Sequence, residues 1–172
     1  MRQSAVRDMT YIAVCVALLA ICAWLVIPSS PPFTMQTLAV FLTVGLLGGR
    51  RGSIAVAVYL LLGAFGFPVF SGFQGGFGIL LGATGGYLIG FLFTALTMWA
   101  LERLPLPLRM GLGLLVCYTF GTAWYMGFYL SSGGSGNLLA VLGICVLPFI
   151  FPDLIKIALA LVLIRRLKPF LH

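Results

Sequence analysis

The stretch PPFTMQTLAVFLTVGLLGGRRGSIAVAVYLLLGAFGFPVF, residues 31–70, contains two apolar segments separated by GGRRGS at 48–53. Neither apolar segment contains a charged residue, whereas the short break between them carries Arg50 and Arg51. Because a charge is costly in lipid, uncharged apolar segments flanked by arginines are typical of membrane-spanning helices. The stretch therefore predicts a helical hairpin in an all-α integral membrane protein.

The composition of the whole chain supports the same class of protein. Of its 172 residues, 62% are hydrophobic and only 8% are charged, and the mean hydropathy is +1.17. A soluble domain carries about 25% charged residues. We therefore expect residues 1–172 to form a single membrane domain. The net charge of +7 does not indicate a nucleic-acid-binding protein, because the cations lie in short clusters between apolar segments instead of on one basic face.

Further apolar segments extend the pattern to six predicted helices. They lie near 9–27, 35–49, 53–66, 76–101, 108–130 and 152–166, and another apolar stretch, 137–147, precedes the last one. With six spans, all the arginine clusters fall on one side and the three opposite loops carry no charge. The positive-inside rule then places both termini in the cytoplasm.

Two of the predicted helices are short for a hydrocarbon core of about 30 Å, and this favours a cavity near the outer loops. Within the fourth helix, Gly78, Gly82, Gly86 and Gly90 recur every four residues. This spacing predicts one smooth helix face that another helix can approach closely.

Asp153 and Lys156 are the charged residues that stand apart from the clusters, within PFIFPDLIKIALALVL at 148–163. Their spacing of three places them on one helical face, and burying either alone in lipid costs about 3 kcal/mol or more. Two interpretations remain open: a structural ion pair, or a polar site for a ligand. Asp153 follows Pro152 at the expected start of the helix, where a carboxylate also caps free N–H groups.

Uncharged polar and aromatic residues near the outer loops add candidates for this site. They are Thr34, Gln36, Thr37, Ser71, Gln74, Thr84, Tyr87, Tyr118, Trp124 and Tyr125. Such a set suits a small, mostly apolar pocket with a few polar contacts.

The sequence lacks the residues that several classes of function require. The four cysteines form no CxxC pair and the one histidine is His172, so we expect no metal and no cofactor. Neither lysine follows a glycine, so the chain has no P-loop and no ATPase motif of its own. We expect a protein that is not an enzyme and that depends on a separate polypeptide if its work is driven by ATP.

Residues 31–70 closely resemble the BioY family, the biotin-specific substrate-binding (S) components of energy-coupling-factor transporters. The resemblance continues through GGFGILLGATGGYLIGF at 75–91, TFGTAW at 119–124 and PFIFPDLIKIALA at 148–160. It implies a six-transmembrane-helix S-component fold in the cytoplasmic membrane, with a biotin site open to the outside. The implied partners are biotin, the surrounding membrane lipid, a transmembrane coupling protein and two ATPase subunits.

The resemblance also assigns residues. The family's aspartate and lysine map onto Asp153 and Lys156 as ligand contacts. A third polar contact comes from the loop before helix four, for which Gln74 is our candidate and Ser71 the alternative. An AxxxA pair on helix one, here Ala13 and Ala17, is the family's contact with the coupling protein. The chain departs from the family at Ala83, where a proline is usual, and in FPD at 151–153, where PGD is usual.

Three alternatives stay open on the residues alone. The first is an S component for another vitamin or small metabolite. The second is an intramembrane enzyme that uses Asp153 and Lys156, and the third is a purely structural subunit. The sequence also leaves open whether the protein acts alone, as a homo-oligomer or only with its motor.

Overall fold

A computed structural model describes residues 2–27, 33–133 and 138–170. The chain is predominantly helical. The helices are α1 (Arg2–Trp24), α2 (Gln36–Leu47), α3 (Gly49–Ala64), α4 (Phe77–Leu80), α5 (Gly85–Ala100), α6 (Leu106–Ser131), α7 (Leu138–Cys145) and α8 (Leu147–Leu167). Two-residue strands β1 (Val26–Ile27) and β2 (Phe33–Thr34) pair antiparallel between α1 and α2, and 3-10 turns cover Ser71–Phe73 and Lys168–Phe170.

Three helical segments of the described chain are long and apolar enough to cross a membrane. They are Ala5–Trp24, Leu106–Ser131 and Leu138–Phe170, and the shorter apolar helices Gln36–Leu47 and Gly85–Ala100 accompany them. The prediction of a helical membrane protein is therefore confirmed.

The hairpin predicted from residues 31–70 is present as α2 and α3. The chain reverses at Gly48, whose φ of +80° lies in the left-handed region that glycine tolerates. The next backbone N–H, that of Gly49, donates to Glu102 Oε1 at 2.8 Å, and Arg51 forms an ion pair with Asp8 at 2.9 Å. Polar partners thus fix the turn at one end of the helix bundle.

Helix α2 is the centre of the molecule. It contacts α1, α3, α5 and α8, and every residue from Gln36 to Val44 is buried. A helix that is apolar on all sides and covered on all sides has the pattern of a core helix. Its first turn is thereby held among the helices that form the site described below.

The fourth predicted helix, 76–101, is wrong as a continuous element. The chain forms the single turn α4, then an irregular segment at 81–84, and then α5. Glycine-rich sequence favours this break, since the Gly85 N–H donates to Gly82 O at 3.1 Å in a tight turn. The glycine face is consequently divided. Gly86 and Gly90 pack against Trp124 and Cys117 of α6. A Cβ atom at Gly78 would meet open space, and one at Gly82 would meet only Gly78 and Ile79 of its own segment.

The last predicted helix, 152–166, begins earlier than expected. The Val146 carbonyl already accepts from the N–H groups of Phe149 and Ile150, so α8 starts at Leu147 and contains Pro152 internally. Asp153 is therefore not at a helix start, and its expected capping role is wrong. A proline inside an apolar membrane helix is tolerated because neighbouring groups satisfy the freed carbonyl. The apolar stretch 137–147 forms the separate helix α7 over Leu138–Cys145.

Candidate functional site

A cavity of about 420 Å³ lies where the start of α2, the loop at 70–74, and helices α5, α6 and α8 meet. All six predicted ligand contacts line it, and so does the alternative Ser71: Asp153, Lys156, Gln74, Thr34, Gln36, Tyr87 and Ser71. The structure thus gathers into one cavity residues that are up to 122 positions apart in the chain.

Asp153 and Lys156 form a buried ion pair in the cavity wall. Their Oδ1 and Nζ atoms are 2.7 Å apart, and the two residues are 3% and 4% exposed. Lys156 Nζ also donates to the Thr34 carbonyl at 2.7 Å and to Thr37 Oγ1 at 3.4 Å, and it lies 4.2 Å from the centroid of the Phe33 ring. An ammonium group has three N–H donors, and these three oxygen acceptors occupy all of them.

Tyr118 of α6 completes the surroundings of the carboxylate. Its hydroxyl donates to Asp153 Oδ2 at 2.6 Å, which is the short distance of a hydrogen bond to an ionised acceptor. Each oxygen of Asp153 therefore has one donor, and a carboxylate can accept about four hydrogen bonds. Tyr118 was among the aromatic candidates for the pocket, but the sequence contained no signal for this contact. Thr37 was also one of the polar candidates, but the sequence contained no signal for its contact with Lys156.

Thr34 and Gln36 belong to a buried chain of hydrogen bonds behind the ion pair. Thr34 Oγ1 donates to Gln36 Oε1 at 3.0 Å, and Gln36 Nε2 donates to the Tyr59 hydroxyl at 2.7 Å. Tyr59 in turn donates to the Val69 carbonyl at 3.0 Å. This series of hydrogen bonds holds the start of α2 against the loop that follows α3. Tyr59 was not predicted as part of the site.

Gln74 and Ser71 lie on the loop that closes one side of the cavity. Phe70 N donates to Gln74 O at 2.9 Å, which makes the loop tight, and the Gln74 side chain is exposed. Trp24 anchors the same loop to α1, because its Nε1 donates to the Pro68 carbonyl at 2.9 Å and its ring stacks on Phe73 at 4.8 Å.

Tyr87 of α5 lies on another wall of the cavity, where its hydroxyl shares a hydrogen bond of 3.0 Å with Thr122 Oγ1 on α6. The Tyr87 ring contacts Gly121 closely. Apolar side chains form most of the remaining surface, among them Leu88, Phe91 and Leu114. The cavity therefore combines one compensated charge pair, several neutral donors and acceptors, and apolar walls.

Ala13 and Ala17 are in a different part of the molecule, on the exposed face of α1. Ile21, one turn further on, is 51% exposed. Packing within the described chain does not occupy this face.

Comparison with known proteins gives concordant matches. The family model described as "BioY family" matches residues 1–172. A biotin transporter BioY from Thermotoga maritima is 38% identical over 168 residues, with 94% of this chain and 96% of that protein covered. A probable biotin transporter BioY from Pyrococcus horikoshii is 36% identical over 166 residues, with the same coverage.

A solved structure agrees with these relatives. The S component for biotin from an ECF-type ABC transporter superposes with a TM-score of 0.85 at 30% identity, covering 98% of this chain and 94% of that one. The match to the family model over the whole chain, the relatives and the shared fold together lead to one conclusion: the chain belongs to the BioY family.

Proposed function

We propose that this protein captures biotin from outside the cell and acts as the substrate-binding S component of an ECF-type ABC transporter. One observation carries the proposal. In a member of the BioY family, a buried Asp153–Lys156 pair lines a cavity of about 420 Å³, a volume within the range of small-molecule sites. Relatives that cover nearly the whole chain carry the name biotin transporter.

The chemistry of biotin matches the walls of this cavity. Biotin offers a urea group, an apolar bicycle with an aliphatic chain, and a carboxylate. Asp153 has lone pairs left to accept from a urea N–H after its bonds with Lys156 and Tyr118. The apolar walls suit the rings and the chain.

Lys156 binds ligand by exchanging a partner. Its contact with Thr37 Oγ1 is the longest of its three hydrogen bonds, 3.4 Å against 2.7 Å for the other two, and is therefore the weakest. We infer that a ligand oxygen, from the urea or the carboxylate of biotin, replaces Thr37 as the third acceptor. The ammonium then stays fully hydrogen-bonded in both states.

Of the remaining predicted contacts, some touch the ligand and others hold the start of α2 in position. Gln74, with Ser71 as the alternative, reaches the ligand from the loop, and Tyr87 covers it from α5. Thr34 and Gln36 hold the start of α2 in position and present Nε2 of Gln36, whose second N–H is available beside the Tyr59 contact.

The wider assignment follows from family membership and the charge pattern. Residues 1–172 form one domain with six transmembrane helices in the cytoplasmic membrane, and both termini are cytoplasmic. The protein is not an enzyme. A transmembrane coupling protein contacts α1 at Ala13 and Ala17. Two ATPase subunits supply the energy, because this sequence has no P-loop with which to bind ATP.

Isothermal titration of the purified protein with biotin tests the proposal. We expect one biotin per chain with a dissociation constant in the micromolar range or tighter. Thiamine and riboflavin serve as competitors, since an S component for another vitamin is the principal alternative. Tighter binding of either competitor would contradict the proposal. So would the absence of measurable binding of biotin at micromolar protein.

A further inference from the structure

A second, smaller cavity of about 190 Å³ lies at the other end of α2. Its walls come from α1 (Arg7, Tyr11), the end of α2 (Leu46, Leu47), the turn at Gly48, Arg51 of α3, and Lys168 after α8. At about 1.5 Å per residue, the twelve residues of α2 place it about 18 Å from the site at Asp153 and Lys156. It is therefore separate from the proposed biotin site.

Three cations converge on this small cavity from three separate elements. Arg51 is paired with Asp8 at 2.9 Å, and its side chain remains 46% exposed. Within the part of the chain that the structure describes, neither Arg7 nor Lys168 has an acidic partner within 4 Å. Asp8 thus pairs with one of the three cations, and the other two have no ion-pair partner among the described residues.

Apolar surface adjoins these cations. Leu46 and Leu47 form part of the cavity itself. Phe170, two residues after Lys168, is 84% exposed. Cations next to exposed apolar side chains at the ends of membrane helices mark the level of the lipid headgroups. Basic pockets between such helices recognise lipid headgroup phosphates.

We propose that this cavity binds the phosphate of an anionic phospholipid, with the acyl chains against the neighbouring apolar surface. Arg7 and Lys168 supply charge-assisted hydrogen bonds to the phosphate oxygens, Arg51 adds the donors that Asp8 leaves free, and the Tyr11 hydroxyl donates one more. A soluble phosphate ion shares the charge but lacks the chains that the leucines and Phe170 would cover.

The coupling protein is a less suitable occupant. At about 100° per residue, Ala13 and Ala17 lie about 200° and 240° around α1 from Tyr11. The face proposed for that partner therefore points away from the cavity.

Native mass spectrometry of the full chain in neutral detergent, titrated with phosphatidylglycerol or phosphatidylcholine, tests the proposal. The wild type should retain one phosphatidylglycerol, and the double variant Arg7→Gln/Lys168→Gln should bind it at least about tenfold more weakly. Arg103→Gln removes a charge from an exposed position elsewhere and should leave binding unchanged. Arg7→Lys/Lys168→Arg keeps both charges, should fold as the wild type does, and should retain the lipid.

Three outcomes would overturn the proposal. Equal retention of phosphatidylcholine and phosphatidylglycerol would show that the headgroup charge is not recognised. Displacement of the lipid by millimolar inorganic phosphate would identify a site for a soluble anion. An equal loss of binding in Arg103→Gln and in the double variant would show a diffuse effect of net charge.

Discussion

The ion pair between Asp153 and Lys156 can either support the fold or hold a ligand, and substitution separates the two roles. Asp153→Asn and Lys156→Met should each weaken biotin binding by about 1–3 kcal/mol, because each leaves a buried polar group without its partner. Titration calorimetry gives the affinities. Lys168→Met, the matched change at the chain's other lysine, should leave biotin affinity unaltered.

The same variants distinguish the structural alternative. If the pair only supports the fold, the single substitutions lower the unfolding temperature while the affinity of the folded protein stays constant. Recovery of stability in the double variant Asp153→Asn/Lys156→Met, with wild-type affinity, would establish that purely structural role.

Tyr118 should matter for the ligand although it contributes no charge. Its hydroxyl holds Asp153 Oδ2 at 2.6 Å, so Tyr118→Phe removes one of the donors that orient the carboxylate. Hydrogen bonds to charged groups are worth about 1.5–3 kcal/mol, and we expect biotin affinity to fall by a comparable amount in calorimetry. Tyr129→Phe, on the same helix at a position that is 39% exposed, is the control. Equal affinities for the two variants would contradict a positioning role for Tyr118.

The sequence predicts this pair well and its partners poorly, for a physical reason. Two opposite charges alone in an apolar segment are costly unless they meet, so their spacing of three is enough to predict contact. Tyr118 is 35 positions from Asp153, and Thr37 is 119 positions from Lys156. Their contacts depend on how α2, α6 and α8 pack, which no local pattern specifies.

At the scale of elements, the packing of α5 against α6 shapes one wall of the cavity. A Cβ atom at Gly121 would overlap the ring of Tyr87, whereas a Cβ atom at Gly127 on the same helix would meet nothing within 4 Å. Gly121→Ala should therefore cost about 1–3 kcal/mol of stability through overpacking and weaken biotin binding by moving Tyr87. Gly127→Ala should be neutral or slightly stabilising. Thermal unfolding and calorimetry on both variants measure the difference, and equal behaviour would show that this close approach does not shape the site.

The broken fourth helix shows where prediction of elements fails. The segment 76–101 is apolar throughout, and hydropathy alone cannot distinguish a helix from an apolar loop. The break at 81–84 depends on tertiary contacts, including the hydrogen bond of 3.0 Å from Trp124 Nε1 to the Gly82 carbonyl. The start of α8 was misplaced for a related reason, since Pro152 was read as a boundary although a proline inside a membrane helix is tolerated.

For the whole molecule, composition alone was sufficient to predict a helical membrane protein, because low charge and long apolar segments leave few other folds. The two ends of the helix bundle differ in the charged groups that they carry. The polar cavity lies at the start of α2, and the cationic cavity with Arg51 lies at its end. The two cavities therefore lie at opposite ends of one buried helix, an arrangement that the proposed capture of ligand from outside and the proposed cytoplasmic termini require.

The last prediction concerns the exposed face of α1. Ala13 and Ala17 are small, exposed and one turn apart, which allows a partner helix to approach closely. Replacing both with leucine should prevent that approach and abolish ATP-driven uptake of labelled biotin in cells that express the coupling protein and both ATPases. Binding to the purified variant should be unchanged, because Val26, the first of the described residues that line the cavity, follows the end of α1. Ala123→Leu, at an exposed position of α6, should sustain normal uptake. If the double variant transports as well as this control, the coupling protein binds elsewhere on the molecule.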